Sequence, residues 1–200
     1  PFSVPLPHRG PKGKCRADLF LLVFARRMHY LCRVTRPAPC PTPPRTARRR
    51  PQTAFTRMKI ACLTFNPIQE NTYVLWDETN ECVVIDAGNS SPREDAALDN
   101  FIAEHGLKPV LAANTHGHFD HTLGVEHLKQ RYGIPFALSS KDRFLLENAS
   151  VSGSVFGVPV GAMPTVDIDL ETTPELHFGQ TTLRVIHTPG HTPGHVALYE

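Results

Sequence analysis

Thr115-His116-Gly117-His118-Phe119-Asp120-His121 decides the reading of this chain, and His187-Thr188-Pro189-Gly190-His191-Thr192-Pro193-Gly194-His195 completes it. Four imidazoles, those of His116, His118, His121 and His191, and the Asp120 carboxylate fall in two short, turn-rich stretches. The apolar run Val110-Leu111-Ala112 ahead of the first stretch reads as a buried strand. The cluster begins where that strand ends. Gly117 permits a sharp turn, so His116 and His118 can converge on one side of a loop whose origin is fixed by strand packing. Asp120 and His121 follow too closely to share the same tetrahedral centre. They are better placed to reach a second ion, and two metals about 3.5–4 Å apart form a recurring hydrolytic device.

Thr181 to Ile186 alternates as a strand does. Pro189 and Gly190 then force a turn, which sets His191 at a loop tip. His116, His118 and His191 make a three-histidine set with an open fourth position. That is the arrangement of a catalytic zinc site, whereas structural sites are closed by four protein ligands. Ion-bound water has its pKa lowered to about 7. Zinc suits imidazole-rich ligation, and spacing alone leaves iron or manganese open. His187 and His195 could orient these ligands or be ordinary strand-end histidines. His105 and His127 fall in helical patterns and His177 in a strand, where surface or packing roles suffice.

These residues carry a family resemblance. Thr115 to His121 resembles the signature of the metallo-β-lactamase fold superfamily. Asn66-Pro67, Asn71-Thr72-Tyr73-Val74-Leu75 and Val83-Val84-Ile85-Asp86-Ala87-Gly88 resemble the opening of its glyoxalase II-like members. His187 to His195 is similar to their third metal motif. The resemblance covers 58–200. It implies an α/β (α+β) four-layer αββα sandwich, incomplete in this chain, with the site at one edge of two sheets. It implies that His116, His118 and His191 hold a first metal, that Asp120 and His121 hold a second, and that Asp86 supports the ligand loop from behind without binding metal. It also implies a bridging aspartate and a last histidine beyond the final strand. Neither occurs before Glu200, so the expectation is a domain truncated at its C-terminus that holds the second metal poorly and is weakly active or inactive.

The implied activity is a zinc-dependent, dinuclear, glyoxalase II-like thioesterase. It would cleave a small-molecule glutathione-type thioester with metal-activated water, Asp120 serving also as the catalytic residue that orients the attacking oxygen. β-Lactam hydrolysis, persulfide dioxygenation with one iron and phosphodiester hydrolysis share the fold. A non-catalytic metal-binding or interaction module is the rival of another class. Phosphodiester hydrolysis of RNA would want a basic face, and the body is acidic.

That acidity is hidden in the overall charge of +2. Residues 1–57 hold 13 Lys/Arg against one acid, Asp18, a net of +12, and the remaining 8 basic and 18 acidic residues leave −10. The chain therefore reads as a basic tail, 1–57, ahead of a body, 58–200. Ten of the nineteen prolines lie in the tail, and its Pro37–Pro44 run and Arg48-Arg49-Arg50 predict disorder.

Four readings of the tail compete: upstream sequence translated ahead of Met58, a mitochondrial or plastid transit peptide, a poor signal-peptide core at Leu19–Ala25, and a basic arm. The favoured one is upstream sequence. That core is too short to span a membrane. The arginines lack the regularly interleaved aromatics of a nucleic-acid arm. The expectation is a cytoplasmic protein with no nucleic-acid or membrane partner. The chain contains no Cys-x-x-Cys pair, and Cys62 and Cys82 lie in strand-like runs where burial in a reducing compartment is expected.

The body predicts strands at 58–65, 71–76 and 82–86. A capping box at Ser91–Glu94 opens a helix that runs to about His105. A strand over 107–115 feeds the metal loop. A helix follows over 125–132, stopped by Gly133, then a strand over 134–138 and a short helix over 141–148. Residues 151–164, rich in Gly, Ser, Pro and Val, resemble a mobile flap or an inert surface loop.

Overall fold

The structure is a computed structural model that describes residues 58–200; the expectations for the tail fall outside the described residues. Its strands are β1 (Lys59–Phe65), β2 (Glu70–Trp76), β3 (Glu81–Ile85), β4 (Lys108–Ala113), β5 (Phe136–Leu138), β6 (Ile168–Asp169), β7 (Glu175–Phe178), β8 (Thr181–His187) and β9 (Val196–Tyr199). The helices are α1 (Pro92–Glu104), α2 (Val125–Tyr132), α3 (Arg143–Glu147) and α4 (Ala149–Val155).

Strands β1 to β6 form one sheet in chain order, antiparallel from β1 to β3 and parallel from β3 to β6. Parallel neighbours need crossovers, which α1, α2 and the segment holding α3 and α4 supply. Ser91 caps α1, its Oγ accepting from Glu94 N. The expected capping box is shifted by one residue: the Glu94 carboxylate accepts from Ser90 N and Asn66 N and so ties the helix to the β1–β2 turn. Gly133 ends α2 at φ +67°, a conformation in which a Cβ would be strained.

The apolar faces explain the layers. Val74, Val84, Leu98, Ile102, Leu128 and Phe136 bury one face of the large sheet under α1 and α2. Leu75, Val83, Leu111, Phe178, Leu183 and Leu198 bury the other face against the antiparallel sheet β7-β8-β9. The central strands β3 to β5 are thus buried on both faces and read as continuous apolar runs. Thr182, Arg184 and Ile186 on the outer face of β8 are exposed. The described residues therefore build three of the four expected layers, helix, sheet and sheet.

Two expectations need correction. Cys82 is buried but Cys62 is exposed. Cys62 lies on the edge strand β1, where Ile60, Cys62 and Thr64 face solvent together. The segment expected as a flap begins as α4, and Gly153 in that helix is buried, with room for no Cβ beside Val158 O and the Val160 side chain.

The topology aligns four turns. Asp86 follows β3, His116 follows β4 and Asp142 follows β5, all at the carboxyl ends of parallel strands, where open α/β sheets place their ligands. The fourth turn, between β8 and β9, is brought over from the small sheet, and Val196 N donates to Thr115 O at 2.9 Å.

Candidate metal centre

His116, His118 and His191 come together as expected. Their ring centroids form a near-equilateral triangle, with separations of 4.8, 4.8 and 4.7 Å. One ring nitrogen from each lies within 4.8 Å of the other two. His116 is buried, His118 half-buried and His191 exposed, so the triangle opens toward solvent on the His191 side. His116 Nε2 and His118 Nδ1 approach to 3.1 Å. Burial and the surrounding imidazoles hold His116 far below the ordinary histidine range, and burial followed by His191 also lowers His118 and His195. Neutral rings have free lone pairs. The converging imidazoles of His116, His118 and His191 fit a transition-metal ion such as zinc or iron, which imidazole suits.

The tautomer of His116 follows from its neighbours. Asp86 is fully buried, and its two carboxylate oxygens accept from Thr115 N and Thr115 Oγ1, each at 2.7 Å. The single hydroxyl hydrogen of Thr115 is thereby used. His116 Nδ1, at 3.0 Å from that hydroxyl, must donate to it. The lone pair then sits on Nε2, the nitrogen facing His118. This carboxylate–hydroxyl–imidazole chain does for His116 what outer partners do for metal-bound histidines generally. Asp86 itself adopts φ +53°, an arrangement open to few residues other than Gly, Asn and Asp.

Asp120 and His121 stand together beside the triangle, with His121 Nε2 at 3.7 Å from Asp120 Oδ2. The His116 and His121 ring centroids are 4.2 Å apart. The other nitrogen of His121 faces a pair that the sequence reading only half anticipated: Asp86 Oδ2 at 3.4 Å and Glu70 Oε1 at 3.6 Å. Burial depresses His121, but Asp86 and Asp120 outweigh it and raise the ring above its ordinary range. Glu70, Asp86 and His121 form a second group able to hold a cation, although Asp86 is committed to Thr115.

Glu70 was not foreseen. Burial, then Asp86, pushes its carboxyl up to about 10. The hydrogen bonds agree. Thr72 Oγ1 accepts from Gly88 N at 2.9 Å, donates to Asp86 O at 2.8 Å and lies 3.0 Å from Glu70 Oε2. A hydroxyl has one hydrogen and the carbonyl can only accept, so a protonated Glu70 completes the set.

Asn66 was noted for its motif alone. Its Nδ2 donates to both Gly88 O and Asp120 O at 3.0 Å, which ties the β1–β2 turn to the metal loop. Asn114 Nδ2 donates to His121 O and holds the same loop from within. His195 binds Thr188 Oγ1 through Nδ1 at 2.8 Å and lies 5.5 Å from the His116 ring, while His187 turns to Glu171 at 3.6 Å. His195 thus lies beside the triangle, whereas His187 pairs with Glu171.

Known proteins resemble this chain in sequence and fold. Residues 65–200 match the Metallo-beta-lactamase superfamily. The chain is 34% identical to the "Probable metallo-hydrolase YqgX" of Bacillus subtilis, over 71% of this chain and 65% of that protein. It is 30% identical to the "Hydroxyacylglutathione hydrolase GloC" of Haemophilus influenzae, over 72% of this chain and 66% of that protein. The chain thus spans about two thirds of these relatives' lengths. Among solved structures, the BLEG-1 B3 metallo-beta-lactamase is similar at 33% identity and a TM-score of 0.63, covering 70% of this chain and 66% of that one. TTHA1623, solved in a di-iron-bound form, is 32% identical with a TM-score of 0.59 over the same shares. The family match over 65–200 and these likenesses show that the chain belongs to the metallo-beta-lactamase superfamily.

Proposed function

We propose that this chain carries the metal-binding part of a hydrolase acting on thioesters of the glutathione type. The observation that supports it most is the open triangle: three imidazoles converge within 4.8 Å and leave a fourth side to solvent, as catalytic rather than structural sites do. His116 Nε2, His118 Nδ1 and His191 would hold the first ion, with Asp120 and His121 holding a second. A bound divalent ion supplies Lewis acidity and brings water to a pKa of about 7.

The chain's own residues do the rest. The Asp86–Thr115 chain keeps the His116 proton on Nδ1. Asp120, beside the triangle, accepts a hydrogen from the attacking water and aims its oxygen at the carbonyl carbon. His191, the exposed corner, borders the path by which a substrate enters. The substrate class draws support from a relative named as a hydroxyacylglutathione hydrolase. Thiolates also leave readily without a proton donor, so the residues seen here suffice for the leaving step. Zinc is the proposed metal, and iron is the second reading because a similar structure holds two irons.

The test is hydrolysis of S-lactoylglutathione by the zinc-loaded and the iron-loaded protein, followed by loss of thioester absorbance. Turnover that disappears in His118→Ala supports the reading. Turnover of a β-lactam with none of the thioester would replace the substrate class.

A further inference from the structure

Asp142 follows β5 and opens α3, far in sequence from both histidine motifs. Its carboxylate nevertheless joins them. It is fully buried. Its Oδ2 accepts from Gly117 N at 3.0 Å, inside the first motif. The same oxygen accepts from Thr192 Oγ1 at 2.6 Å, and Oδ1 accepts from Gly194 N at 2.7 Å, both inside the second motif. One carboxylate therefore fixes the backbone between His116 and His118 and the backbone that follows His191. The fit is tight on both sides. A Cβ on Gly117 would stand 2.8 Å from Asp142 O, and one on Gly194 would stand 2.8 Å from Asp142 Oδ1. Gly117 and Gly194 are thus needed for close approach to Asp142, a reason distinct from turn geometry.

We infer that Asp142 is a positioning residue that presets the His116–His118–His191 triangle by clamping the two histidine loops, and that metal affinity depends on this clamp. The inference rests on the reading of those histidines as metal ligands. No side-chain atom of Asp142 joins the metal-ligating groups found among the described residues, so its action runs through the loops. Asn in its place has one acceptor oxygen. Whichever way the amide turns, one of the two backbone N–H groups, Gly117 N or Gly194 N, then meets an NH2 group. One loop is released while the volume of the core is unchanged.

The experiment compares the full chain with Asp142→Asn and Thr192→Val. Zinc affinity is measured by competition with a chromophoric chelator, cobalt(II) spectra report ligand geometry, and thermal unfolding is recorded without metal. Asp142→Asn should fold, bind zinc about 10- to 100-fold more weakly and show a weakened or shifted visible cobalt band. Thr192→Val, which removes one of the three bonds, should show a smaller loss of the same kind. Unchanged zinc affinity and cobalt spectrum in a folded Asp142→Asn protein would overturn the inference and leave the metal reading intact. If Asp142→Asn does not fold, Thr192→Val decides: weakened affinity supports the clamp, unchanged affinity overturns it. Failure of the unsubstituted chain to bind either metal would remove the metal reading, and this inference with it.

Discussion

Replacing Asp86 by Asn separates the charge behind the site from its shape. Asn tolerates the φ of +53° found at this position, so the backbone cost is small. The Asp86 carboxylate accepts from Thr115 N and Thr115 Oγ1. In the variant, the single amide oxygen must serve Thr115 N, which has no alternative acceptor. The amide nitrogen then faces Thr115 Oγ1 and turns that hydroxyl from donor into acceptor. Its hydrogen points at His116 Nδ1, 3.0 Å away, and forces the ring proton onto Nε2. That is the nitrogen that faces His118 and should bind metal.

Two charge-assisted hydrogen bonds become neutral ones, a loss of about 1 kcal/mol each and about 2 kcal/mol together. For a domain of this size that lowers the melting temperature by about 6 °C. The displaced lone pair costs about 10- to 100-fold in metal affinity. Thermal unfolding of the metal-free protein reads the first effect, and chelator competition for zinc reads the second. An Asp86→Asn protein that melts within about a degree of the parent and holds zinc equally well would refute the hydrogen-bond assignment.

The other predictions use the same geometry. Gly88→Ala should destabilise the fold by about 1–3 kcal/mol, because its Cβ would collide with buried Glu70 Oε2 and with Asp120 O at 2.7 Å; denaturant unfolding measures it. His127→Ala is the contrasting case. Its ring pairs with Asp99 at 3.1 Å on the helical side, and its loss should cost under about 1 kcal/mol and leave zinc affinity unchanged in the same competition assay.

The metal-free protein should gain stability as pH rises from about 5 to 6.5 and lose it slowly above about 7. Below 6.5 the unfolded chain protonates His116, His118 and His195, whose folded pKa values are lowered, so it binds more protons than the native state. Glu70, raised to about 10, opposes this with one native-bound proton, which His116 offsets near pH 5, while His118 and His195 supply the excess above it. Above 7 those histidines are neutral in both states, and Glu70 and the raised His121 reverse the sign. Urea midpoints across this range test it, and a midpoint that falls steadily from pH 5 to 6.5 would contradict it.

The convergence of the two histidine motifs was legible because their chemistry is local. Two turn-bounded motifs each end a strand, and strand-end loops in an α/β sheet converge. The helix over 92–104 and its Ser91 cap were legible for the same reason, since capping acts over four residues. Glu70 and Asp142 were not. Glu70 sits in a β-strand and Asp142 in a helix start, where a carboxylate is ordinarily solvated. Only the crossing of β2 behind His121, and of the β5–α3 turn between both histidine loops, buries them. Cys62 was misjudged because an apolar run does not reveal which strand lies at the edge. The helix α4 was missed because Ser and Gly are weak helix formers, and contact with Phe119 and Val158 decides its conformation.

The most direct measurement is anomalous X-ray scattering at the zinc edge from crystals of the zinc-loaded protein. The account predicts a peak inside the histidine triangle, within about 2.0–2.1 Å of His116 Nε2, His118 Nδ1 and a ring nitrogen of His191. A fully loaded crystal with no peak there, or with its metal held only by residues outside the two motifs, would contradict it.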